Sequence, residues 1–179
     1  RLHGRLIDGR ISLGTLDKLM GSSAASGKPF QLPKLDVVVQ DGGIRLDTPH
    51  GPIGLSVSGQ GVLSDGFTGR LAAVAPKLVM GDCMATGLAA PLRVRVGREQ
   101  PTLTGPLRLG NLHCGEVAVA DLAARVDVTF GAALDRWQGR ASVGSGAIRH
   151  PVMAAAAIDG QGDFSGNANG KIGRASCKE

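Results

Sequence analysis

The sequence predicts a mainly β protein whose strands form an antiparallel sheet, and two features support this prediction. In Leu122–Phe130, LAARVDVTF, apolar residues alternate with positions that are mostly polar or small. Successive side chains of a strand face opposite sides, so a period of two indicates one apolar and one solvated face. The chain also has 28 glycines among 179 residues. Its turn signals recur about every 8–14 residues, a spacing typical of antiparallel meanders, sandwiches and barrels.

The N-terminal region predicts a short hairpin followed by one short helix. Residues 1–11 alternate as a strand does, and Asp8-Gly9 is a hairpin-type turn. A helix is expected around 13–20, because Ser12 can cap it and the apolar residues that follow have helical spacing. Residues 21–29 are small and polar, which predicts a flexible loop.

The rest of the chain predicts successive strands separated by turns that contain glycine or proline. Pro76 is expected to separate two strands. Residues 116–130 predict either two strands or one long bent strand, and residues 131–139 either a helical turn or a wide loop. Turns are expected at 41–43, 49–52, 64–66 and 97–101.

The chain is interpreted as one segment of a longer protein. It begins without Met and already alternates at its first residues, and it has no signal peptide and no apolar run of membrane-spanning length. Residues 1–165 are expected to form a single β-rich segment, and residues 166–179, rich in Gly, Asn and Ser, a flexible polar tail.

Cys83 and Cys114 lie in glycine-containing junctions beside predicted strands. They form either a disulfide or two small buried thiols, and we expect the disulfide. Closing a loop of about 30 residues would stabilise the fold by about 3–4 kcal/mol in the chain-entropy model. It would also indicate an oxidising compartment such as the periplasm. Cys177 lies in the polar tail and is expected to be free.

Residues with catalytic or metal-binding potential are scattered, so we expect neither an enzyme nor a metal or cofactor site. The aspartates lie mostly in turns, where they bond their own backbone, and the cysteines and histidines do not have zinc-site spacing. The net charge is +5 and aromatic residues make up only 3%. Because the basic residues are dispersed, we expect a solvated sheet face, to which anionic lipid headgroups could be weakly attracted, and no nucleic-acid interface.

The apolar faces of the strands have two interpretations. Two sheets could close on each other and bury these faces, which would stabilise a sandwich by about 25 cal/mol per Å². Alternatively, one sheet could curl into a groove whose apolar face stays open to a ligand. A groove of small aliphatic side chains suits acyl chains, which need apolar contact without directional polar groups.

A family resemblance favours the groove. The run GRLIDGRISLGTLDKLM, the small-residue linker and the segment PFQLPKLDVVVQDGGIRLDTPHGPIGLSVSGQGVLSDGFTGRLAAVAPKL resemble the YdbH family, among the AsmA-like and TamB-like envelope proteins. The resemblance covers roughly residues 1–165 and implies a strongly curved, elongated, taco-like antiparallel sheet. It also implies an inner-membrane-anchored protein that crosses the periplasm and passes phospholipids towards the outer membrane.

The functional feature that the resemblance implies is an apolar lining. The partners it implies are phospholipid acyl chains, the rest of the same longer chain with its membrane anchor, and further envelope proteins. The candidate lipid-binding residues are Val37, Val39, Leu46, Leu55, Val57, Leu92, Val94, Val96, Leu107, Leu109, Leu122, Val126 and Val128.

Two functional hypotheses therefore stand beside each other. The first is a non-enzymatic envelope segment that holds or conducts phospholipid acyl chains between the inner and outer membranes. The second is a closed β-sandwich that serves as a scaffold or adhesin module without a ligand.

Overall fold

The structure is a computed structural model that describes residues 2–7, 10–12, 31–155, 157–167 and 172–177, with side chains within 31–155 and 157–167. The described residues form strands joined by turns and loops. The helix predicted around 13–20 lies outside the described residues. The strands are β1 (Leu2–Ile7), β2 (Arg10–Ser12), β3 (Asp36–Thr48), β4 (Gly51–Val62), β5 (Thr68–Met80), β6 (Cys83–Gly97), β7 (Gln100–Cys114), β8 (Val117–Phe130), β9 (Arg136–Ser145), β10 (Ile148–His150), β11 (Met153–Ala155), β12 (Ile158–Asn167) and β13 (Ile172–Cys177).

All of these strands belong to one open sheet. Its order is β13-β12-β9-β8-β7-β6-β5-β4-β3-β1-β2, and β10 pairs with both β8 and β11 at the side of this path. From β3 to β9 each strand pairs antiparallel with the next one in the chain. The antiparallel prediction is therefore confirmed, with β1 and β3 as a parallel exception. Because its two ends are β13 and β2, the described sheet is not closed.

Two predicted breaks are wrong. The turn expected at 41–43 is instead an irregularity inside β3, where the register with β4 shifts between Val39 and Gly42 and Asp41 has a φ of 52°. Extra residues in one strand bend it without reversing the chain. Pro76 likewise lies within β5, because both of its neighbours, Ala75 and Lys77, still pair with β6.

Two open questions of the sequence are resolved. Residues 117–130 form one strand, and residues 131–135 form a loop that ends where β9 begins. Turns at 49–50, 63–66 and 98–99 agree with three of the predicted turns. In the predicted polar tail, β12 extends to Asn167 and β13 pairs with it.

The alternation of shielded and exposed side chains shifts by one residue along a single row of the sheet. The registers align Pro76, Gly87, Gly110, Asp121 and Gly146 across β5 to β8 and the end of β9. We call these five residues the reversal row. Gly87 has a φ of 70° and Asp121 a φ of 51°, left-handed values that regular strands do not adopt. The row therefore marks a change of geometry shared by neighbouring strands.

The shift keeps apolar side chains shielded along the whole length of the strands. On one side of the row Leu109 is buried and Leu122 is half-buried, and these two residues are ladder partners. On the other side the half-buried partners are Leu112 and Val119. Without the shift, the regular alternation would expose these last two residues to the solvent.

The apolar side chains on this side of the sheet are only partly buried. The apolar residues that the structure buries are Leu46, Phe67, Ala75, Ala85, Ala90, Val96 and Leu109, and three of these are alanines. Among the described residues, no large side chain falls below 2% exposure. Two sheets packed face to face bury the large side chains between them. The structure is therefore a single open sheet and not the closed sandwich of the second hypothesis.

Candidate functional site

The predicted lining residues all lie on one face of the sheet, which we call the apolar face. Leu46, Val96 and Leu109 are buried and the other ten are half-buried. The registers connect them across strands. One row contains Val57, Leu92 and Val126, and the next contains Val39, Val94 and Val128. The structure therefore places these residues together, while their contact with lipid stays a prediction.

The apolar face also contains residues that the sequence analysis did not select. Leu71 pairs with Val57 and Leu92, and Leu103 pairs with Val94 and Val128. Both are half-buried and follow the same period of two, so the alternation itself could have identified them. They close gaps between the predicted residues, and the apolar face is continuous from β3 to β8.

Phe67 covers one end of this face. The residue is 6% exposed, and its ring lies over Gly59 and Gly69, which are ladder partners in β4 and β5. A Cβ atom built on Gly59 would lie 2.6 Å from Phe67 Cζ, and one on Gly69 would lie 3.1 Å from Cε1. Both glycines are therefore needed because the ring occupies the space that their side chains would take.

The opposite face, which we call the polar face, is solvated. Its exposed side chains include Arg93 and Arg125, and Arg140 Nε donates to Asp163 Oδ1 at 2.8 Å. Both partners of this ion pair are more than half exposed, so the pair contributes little to stability. In the described ranges no group of three or more His, Cys, Asp or Glu side chains could hold a metal ion.

Cys83 and Cys114 form a disulfide between opposite residues of β6 and β7, with Cα atoms 4.0 Å apart. The bridge lies beyond the reversal row, close to where both strands end. Next to it, Met80 and Val117 are exposed ladder neighbours of the two cysteines. The disulfide thus links two strands that already pair with each other.

The described geometry is that of a continuous apolar face on an open sheet. The family model described as YdbH-like, intermembrane phospholipid transport protein YdbH, matches residues 1–172. The chain belongs to the YdbH-like family. No curated protein and no solved structure matches the chain.

The YdbH-like family connects this chain with phospholipid in general terms. The family's description supports a lipid-transport role in its general form. Within the part of the chain that the structure describes, no helix is long and apolar enough to cross a membrane.

Proposed function

We propose that this chain is a non-enzymatic segment of a bacterial envelope protein that holds or conducts phospholipid acyl chains between the inner and outer membranes. The observation that carries the proposal is the continuous apolar face of an open sheet. An apolar surface spread over six neighbouring strands with little burial marks a binding surface in soluble proteins. Membership of the YdbH-like family supports phospholipid as the ligand class.

We further propose that the sheet curves around the lipid as an elongated groove. Open twisted sheets rarely exceed about 10 strands without curling, and this sheet has thirteen strands. The left-handed residues of the reversal row and the irregularity in β3 supply local bends. A concave apolar face also explains why its side chains are more shielded than those of the polar face, although no second sheet covers them.

The mechanism of such a groove is passive. Acyl chains are held by apolar contact alone, at about 0.8 kcal/mol per buried CH₂. Because such contacts have no direction, a chain can slide from one row of valines and leucines to the next without a bond being made or broken. The polar headgroup stays in water at the rim. This function places the chain in the periplasm, as part of a longer protein with an inner-membrane anchor.

The test is native mass spectrometry of the chain purified from a bacterial envelope, together with lipid extraction. We expect adducts with phospholipid masses and extracted phospholipid in proportion to protein. A hydrophobic dye should bind the delipidated chain in its native state, because the apolar face is then empty. If no lipid is found and the dye does not bind, the apolar face is closed, and the chain is a structural module.

A further inference from the structure

Three arginines meet on the polar face without carboxylate partners. Arg70 and Arg93 are directly opposite each other in β5 and β6, and Arg95 is the next residue of β6 on the same face. All three are exposed. We call Arg70, Arg93 and Arg95 the arginine triad. Like charges directly opposite each other destabilise a sheet, so this arrangement has a cost that the fold itself does not explain.

The surroundings of the triad do not neutralise it. On this face the flanking strands contribute Ser58 and Gln60 from β4, and Thr102 and Thr104 from β7. The first carboxylates along these rows are Asp127 in β8 and Asp41 in the irregular part of β3. Each lies two strands from the nearest triad arginine, a distance of about 10 Å between backbones at the usual strand spacing. Among the described residues, no carboxylate lies within ion-pair distance of any triad guanidinium.

The triad and its neighbours line a shallow depression. Its volume is about 760 Å³, and its lining includes all three guanidinium-bearing residues together with Ser58, Gln60 and Thr68. Hydroxyl and amide groups can donate further hydrogen bonds. Guanidinium groups present planar pairs of N–H donors that match phosphate oxygens. The chemistry of this depression is therefore that of a phosphate site.

We propose that the arginine triad binds the phosphates of anionic phospholipid headgroups at a bilayer surface, and so docks the polar face on a membrane. Charge complementarity selects this occupant, since the exposed positions of β5 to β8 carry five arginines against two carboxylates, Asp121 and Asp127. The site lies on the side of the sheet opposite the apolar face. It would orient the chain at the bilayer and does not depend on acyl chains being held in a groove.

The experiment measures binding of the chain to vesicles by flotation. The chain should bind vesicles that contain phosphatidylglycerol far more tightly than vesicles of phosphatidylcholine alone, and added salt should weaken this binding. Replacing all three triad arginines by glutamine should lower the partition coefficient about a hundredfold, since each basic residue contributes about fivefold near an anionic surface. Sodium phosphate should compete better than sodium chloride at equal ionic strength.

A matched variant separates the site from the overall charge. Replacing Arg45, Arg136 and Arg149 by glutamine removes the same three charges from a total of +5, at exposed positions outside the triad. This control should keep most of the vesicle binding. An equal loss in both variants would overturn the proposal in favour of general attraction. Binding of inorganic phosphate to the triad without any binding to anionic vesicles would overturn the choice of headgroups.

The same variants distinguish this proposal from the lipid-holding function. The triad variant should retain the phospholipid that co-purifies with the chain, because the apolar face is unchanged. If co-purified lipid is absent while vesicle binding still requires the triad, only the lipid-holding proposal fails. If lipid is present and vesicle binding ignores the triad, only the docking proposal fails.

Discussion

Substituting Val126 by aspartate tests whether the apolar face is open. Val126 is half-buried, and its ladder neighbours are two small residues, Gly105 and Ala141. A carboxylate at this position therefore keeps contact with water. The stability cost is then the lost burial of part of one valine, about 1–2 kcal/mol out of the 1.5–3 kcal/mol of a fully buried side chain. Urea unfolding should show this decrease with an unchanged m-value.

The effect of Val126→Asp on lipid should be much larger than its effect on stability. A charge in the centre of the apolar face prevents two or three methylenes of a bound acyl chain from contacting it. At about 0.8 kcal/mol for each methylene, acyl-chain binding weakens by about 2 kcal/mol, or roughly thirtyfold. Ala123→Asp is the matched control, because it adds the same residue at an exposed position of the same strand. Lipid extraction should show a loss in the first variant and none in the second.

Two results would refute this reasoning. If Val126→Asp costs more than about 4 kcal/mol or prevents folding, the charge has entered a closed core. If the variant folds and retains as much phospholipid as the control, the apolar face does not hold lipid at this position.

Further predictions concern the features that shape the sheet. Gly87→Val should destabilise the fold by about 1–3 kcal/mol, because a β-branched residue is strained at a φ of 70°; Gly160→Ala, with open space around its Cβ, should change the unfolding free energy little. Phe67→Ala should lower the unfolding free energy by about 3 kcal/mol in the same urea titration, because removing the nearly buried ring leaves Gly59 and Gly69 uncovered. A cost under 1 kcal/mol would contradict the packing role of the ring. Reducing the Cys83–Cys114 bridge should lower the unfolding free energy by about 3–4 kcal/mol for a loop of this length, and an unchanged melting temperature after verified reduction would refute that contribution.

The sequence predicts the strands and their apolar face well because the period-two signal is local. In β8 each side chain from Leu122 to Val128 has the exposure that the alternation indicates. Leu71 follows the same alternation in β5, so the period of two also predicts its place on the apolar face. The position of a half-buried side chain thus follows from its immediate neighbours in the chain.

Features that depend on register were not predictable in this way. Pro76, Gly87 and Asp121 are each ordinary turn-forming residues, so the sequence alone predicts a break at Pro76. Only the pairing of β5 to β8 aligns them in one row. The same holds for Arg70 and Arg93, whose opposition across β5 and β6 requires a register set by long-range contacts. The apolar face is a local property, whereas the reversal row and the arginine triad are properties of the assembled sheet.

The most direct test of the central claim is site-specific photo-crosslinking at two adjacent residues that face opposite sides. Leu122 lies on the apolar face, and Ala123 is exposed on the polar face. A photoreactive amino acid is placed at each position, the chain is purified from the bacterial envelope with its bound lipid, irradiated in the absence of membranes, and weighed by mass spectrometry. We predict phospholipid adducts at position 122 and none at 123. Equal adducts at both positions, or none at 122, would contradict the claim that the apolar face holds phospholipid.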